Sequence, residues 1–157
     1  MLEPLDEGAL AETCAPFKPL WETYRTSTEK ITAEFNPKLT ALQQQYGKSL
    51  EALKSTVQKR GDLVKTKAVV TEMERFENEK IVPTEPDETE IAEITTVQAN
   101  YLKALAAVEK DMGARMGNLT KRYAQALEQL QADLVRTDKL DDATAVNEAL
   151  ERARKKF

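Results

Sequence analysis

Four tyrosines, Tyr24, Tyr46, Tyr101 and Tyr123, come nearest to a constellation with chemistry in it. Each falls at the same position of a repeating apolar pattern, so their rings could form a platform for a ligand. A buried ring with its hydroxyl at the rim of a core meets the same pattern. Trp21, the single tryptophan, falls beside that pattern and is the candidate exposed contact residue, with packing against the N-terminal leader as the structural alternative. Cys14, the single cysteine, permits no intramolecular disulfide; it is either a reactive or interchain thiol or a small residue in a loose N-terminal segment.

The sequence contains no histidine. That removes imidazole ligands for zinc or haem, the Glu-x-x-His pairs of di-iron bundles, Ser-His and Cys-His catalysis, and histidine-based pH switching. No carboxylate pair, phosphate-binding glycine loop or metal-ligand spacing stands out, and Asp141-Asp142 and Arg152-Arg154-Lys155-Lys156 read as solvated faces that complement helix dipoles. A non-enzymatic chain without cofactor or metal is expected. The net charge of −4 gives no electrostatic reason to approach nucleic acid. No apolar run reaches the length of about 18 residues that spans a bilayer, so no membrane insertion is expected.

The elements that would position these side chains follow from periodicity. Ile94, Val97, Tyr101, Leu105, Val108, Met112, Met116, Leu119, Tyr123, Leu127, Leu130 and Leu134 step 3, 4, 4 and repeat every 11 residues. At about 3.67 residues per turn this is one long helix with a single apolar seam. The same rule runs from Phe17 through Leu20, Tyr24, Thr28, Ile31, Phe35, Leu39, Leu42, Tyr46, Leu50 and Leu53 to Val57. Pro37 lies inside that run, and because the phase continues across it a kinked, continuous helix is expected rather than a break. Gly113 and Gly117 lighten the later helix, for close helix approach or a matching bend.

Both seams then change phase. After Gly61-Asp62 a new stripe begins at Leu63, Thr66, Val69, Met73 and Phe76, which predicts a tight turn and a short helix over about 62–79. After Thr137-Asp138-Lys139 the stripe is Leu140, Ala143, Val146, Leu150, Ala153 and Phe157, a short helix over about 139–155. Residues 1–16 read as an N-terminal leader, 17–80 as a first helical unit, 81–88 with Pro83 and Pro86 as a linker, and 89–157 as a second unit, together one structural domain.

The two halves superpose without gaps at an offset of 77, with Tyr24/Tyr101, Tyr46/Tyr123, Leu50/Leu127, Leu63/Leu140, Val69/Val146 and Arg75/Arg152 among the identical pairs. Turn, phase break and stripes coincide as well, which marks an internal duplication. The expected fold is all-α: two long-helix/short-helix hairpins in an elongated four-helix bundle or coiled-coil-like arrangement. The motif Tyr46-x3-Leu50-x2-Leu53-x7-Gly61-Asp62-Leu63-x4-Ala68-Val69-x2-Glu72, echoed from Tyr123, resembles a helical segment of predicted exported proteins of Planctomycetes and Verrucomicrobia. In the second copy, Asp138-Lys139 replaces Gly-Asp and Ala149 stands where the first has Glu72. The resemblance implies an extracytoplasmic setting, periplasmic or exported, and an accessory, non-catalytic role.

Each short helix can cover only the C-terminal half of its long partner. The remainder, Phe17 to Phe35 and Ile94 to Met112, must be buried by pairing of the long helices or by a second chain in a homodimer. The candidate contact surface is therefore Trp21, Tyr24, Ile94, Val97, Tyr101 and Val108. The expected function is an interaction or spacer module acting on a protein partner or by self-association. The alternative is a ligand-sensing bundle with an internal pocket lined by Tyr and Met.

Overall fold

The computed structural model describes residues 7–85, 87–88 and 90–156. The two seams become two long helices, and each phase break becomes a turn into a short one. In chain order the elements are α1 (Gly8–Thr13), α2 (Lys18–Lys59), α3 (Leu63–Glu79), α4 (Ala92–Arg136) and α5 (Leu140–Arg154), with no strand among the described residues. The fold is an all-α bundle. Helix α2 runs unbroken through Pro37. Phe35, fully buried just before the proline, keeps the seam in phase there, and the Lys38 ammonium lies 4.5 Å from its ring centroid.

Both turns are closed by the same pair of backbone hydrogen bonds. Gly61 N–H donates to Gln58 and Asp62 N–H to Val57, while Asp138 N–H donates to Val135 and Lys139 N–H to Leu134. This double closure requires a left-handed residue just past the helix end. Gly61 takes φ +70° at no steric cost, and Asp138 takes φ +61° with a side chain that makes it less favourable. Asp62 then caps α3, its carboxylate accepting from Lys65 N–H at 3.0 Å, whereas Lys139 gives α5 no side-chain cap.

The chain folds as two compact units: Met1–Glu34 with Asp111–Phe157, and Phe35–Lys110. These units cut across the expected boundaries of 17–80 and 89–157. Each is built from part of both long helices and one short helix. In the first unit, Phe17, Tyr24, Tyr123, Leu127, Leu134, Val146 and Leu150 form the core with small residues of α5. In the second, Tyr46, Leu50, Val57, Val69, Phe76, Ile94 and Tyr101 do so. The stretch of each seam left bare by its own short helix is thus covered within the chain, by the other long helix together with that helix's short partner. Periodicity says which side chains face a core; it does not say which helix supplies the facing surface.

Four further expectations change. The N-terminal segment is not a loose leader in its described part: α1 places Ala11 in the first unit's core, and Cys14 is buried there at 1% exposure. The 81–88 linker is tied down, with Val82 in the second unit's core and the Ile81 carbonyl accepting from Arg75. Leu63 and Leu140, expected on core stripes, are exposed because each is the first residue of its helix. A Cβ on Gly113 or Gly117 would meet nothing within 4 Å, so close helix approach does not account for either glycine. Leu2, Leu5, Pro86, Thr89 and Phe157 lie outside the described residues.

Candidate functional site

Helix α3 buries Val69, Glu72 and Phe76, one stripe at helical spacing with a carboxylate in its middle. Glu72 is 3% exposed, and an isolated carboxylate at that depth would be strongly disfavoured. Four donors offset the cost. Arg75, one turn along, lays its guanidinium against both oxygens, Nε to Oε2 at 2.7 Å and Nη2 to Oε1 at 2.6 Å. Tyr46 from α2 donates its hydroxyl to Oε1, and Gln98 from α4 donates Nε2 to Oε1 at 3.3 Å. Arg75 is itself held by Glu79 at 2.9 Å and by the Ile81 carbonyl at 2.9 Å.

Burial alone would raise the Glu72 pKa. The hydrogen bonds from Arg75, Tyr46 and Gln98, together with the Arg75 charge, outweigh it and hold the carboxyl below its ordinary range. Burial and the adjacent carboxylate push the Tyr46 hydroxyl well up, and the bond to Glu72 raises Arg75. The cluster is therefore a fixed carboxylate, guanidinium and phenol. A general base must be free to accept a proton, and this carboxylate is held ionised by four donors.

The first unit has a parallel arrangement. Glu7, 4% exposed, accepts from Arg152 in bidentate fashion, Nε to Oε1 and Nη2 to Oε2, both at 2.7 Å. Burial and the Glu7 charge raise the Tyr123 hydroxyl. Tyr123 Oη and Trp21 Nε1 are buried without a hydrogen-bond partner among the described residues. Nearby, Thr120 donates to the Met116 carbonyl at 2.9 Å and lies 3.4 Å from the Tyr24 hydroxyl.

No protein-family model, curated protein or solved structure matches the chain. The reading of the site therefore rests on its own geometry. Among the described residues no group of three or more His, Cys, Asp or Glu could hold a metal ion, and no helix is long and apolar enough to cross a membrane.

The six residues expected on an exposed contact surface are placed differently. Tyr24, Ile94 and Tyr101 are buried in their units' cores, and Trp21, Val97 and Val108 are half-buried. Three of the six thus pack within the chain, through the pairing of long helices that was one of the two expected ways to cover the seam. The four tyrosines pair two and two: Tyr24 stacks on Tyr123 with centroids 4.4 Å apart, and Tyr46 meets Tyr101 at 5.2 Å and Phe76 at 4.6 Å. Their rings chiefly face one another. A groove of about 240 Å³ in the second unit is lined by Leu42, Gln45, Tyr46, Ser49, Val97, Asn100, Tyr101 and Ala104.

Glu72, Gln98, Glu7 and the two arginines were not singled out from the sequence as site residues. Glu72 entered only as the residue that Ala149 replaces in the second copy, and Arg152 as part of a basic run. The available signal was the identity of Arg75 and Arg152 across the offset, since a charged residue retained at one register position beside a core stripe calls for a counter-charge.

Proposed function

We propose that the chain is an internally duplicated, non-enzymatic helical module that works through protein–protein contacts as an accessory component outside the cytoplasm. The observation that carries this reading is the division of labour between core and surface. The buried carboxylates of Glu72 and Glu7 are spent on tying segments of the chain together, while apolar side chains stand exposed at both interhelical turns. Leu63 and Val64 are 65% and 75% exposed at the first turn, and Val135 and Leu140 are 52% and 57% exposed at the second. A leucine left in water at the same place in both halves serves neither core and suits a contact with another chain. The turns take over the role first expected of the seam. The extracytoplasmic setting rests on the resemblance of the Tyr46 to Val69 motif.

The test is a photo-crosslinking residue at Leu63 or at Leu140 in cells that make the protein. A discrete protein adduct from either turn is expected, a second copy of the chain included, with none from the exposed polar position Glu51. No adduct from either turn overturns the reading.

The groove beside Tyr46 and Tyr101 favours a second reading, a ligand-sensing bundle. Methionine does not line that groove; Met73 lines a separate one of about 460 Å³ with Phe76 and Leu50. Native mass spectrometry separates the two readings. A stoichiometric small molecule carried through purification supports sensing, and a bare chain supports the interaction module.

A further inference from the structure

Positions related by the 77-residue offset put hydrogen-bond donors at the same three places in both units and the acceptor in different places. In the second unit Tyr46, Gln98 and Arg75 converge on Glu72. The equivalent positions in the first unit are Tyr123, Trp21 and Arg152, a phenol, an indole N–H and a guanidinium, so all three remain donors. The position of Glu72 is Ala149, fully buried on α5, and the carboxylate is gone from the helix. Glu7 supplies one from the N-terminal segment, yet both of its carboxylate oxygens accept from Arg152. Tyr123 Oη and Trp21 Nε1 keep no partner among the described residues, and Tyr123 is 4% exposed.

We propose that Arg152, Tyr123 and Trp21 form a carboxylate-receiving site, occupied in cis by Glu7, which an acidic side chain or terminal carboxylate of a peptide enters when the Glu7 side chain turns out of it. The guanidinium of Arg152 offers a planar fork that matches a carboxylate. One guanidinium with two neutral donors suits a single negative charge, whereas a phosphate would bring nearly two charges against one cation. Unmet buried donors are costly, so an incoming carboxylate that reaches them gains what Glu7 forgoes. The Arg152 side chain is 47% exposed, which leaves the guanidinium reachable from solvent. This site stands on the geometry of the first unit and is independent of the exposed turns.

The test uses the full chain with Glu7→Ala, acetate as probe and matched sodium chloride as control. Trp21, the sole tryptophan, reports directly by its emission. Acetate is expected to change the emission saturably and raise the melting temperature of Glu7→Ala. Wild type should need at least about tenfold more acetate, because the cis carboxylate competes at high effective concentration. Glu7→Ala/Arg152→Gln should not respond beyond the chloride control. An acidic hexapeptide should act as acetate does. A folded Glu7→Ala that ignores acetate overturns the proposal, as does a response that survives Arg152→Gln. Should Glu7→Ala not fold, Glu7→Gln, which keeps the shape and drops the charge, takes its place under the same criteria.

Discussion

Replacing Glu72 by alanine would strand Arg75, Tyr46 and Gln98 around an empty position, and breaking a buried pair in this way costs about 3–5 kcal/mol. Urea unfolding of Glu72→Ala at neutral pH should show a loss of that size, and Tyr46→Phe a smaller one of about 1–2 kcal/mol for the deleted hydroxyl. The charge also sets a pH dependence. The folded pKa of Glu72 is depressed, so its contribution is complete above the unfolded carboxylate value of about 4.3 and fades as the pH falls through the lower folded value. Below about pH 4, wild type should lose stability more steeply than Glu72→Gln, which has no proton to take up at that position. Equal slopes in urea titrations from pH 7 to 2.5 would show that Glu72 is not the ionised group described here.

At the scale of elements, the two turns share a backbone and differ in how well their residues suit it. Asp138 holds a left-handed conformation that favours glycine, and Lys139 caps nothing. Asp138→Gly is expected to raise stability by about 1 kcal/mol, and Gly61→Ala to lower it by a similar amount, in thermal melts of the two variants. Gly113→Ala and Gly117→Ala, with open space around the added Cβ, should each raise stability by up to about 1 kcal/mol. The helix ends at both turns were legible in the sequence to within a residue or two because the seam changes phase there, whereas α4 begins at Ala92, three residues past the expected start at 89, with no phase break to mark it. The unbroken α2 was legible for a related reason, since the seam runs in phase through Phe35 and Leu39 across Pro37. The exposure of Leu63 and Leu140 was not legible. A first helical residue shares the phase of the stripe while its side chain lies beyond the facing helix.

For the molecule as a whole, the seams read as a surface short of a partner, and the chain supplies that partner itself. Long helix meets long helix at Tyr24 with Tyr123 and at Tyr46 with Tyr101. The site was less legible than the fold because its charges are recruited from afar: Gln98 reaches Glu72 across 26 positions, and Glu7 reaches Arg152 across 145. Each unit closes around a buried carboxylate paired with an arginine, supplied by α3 in one and by the N-terminal segment in the other. The most direct measurement compares the unfolding free energies of Glu7→Ala and Glu7→Ala/Ala149→Glu. The second change is expected to restore stability, because position 149 lies 77 residues from position 72, on the buried face of α5, and a carboxylate there returns an acceptor to Arg152, Tyr123 and Trp21. A double variant less stable than Glu7→Ala alone would contradict it.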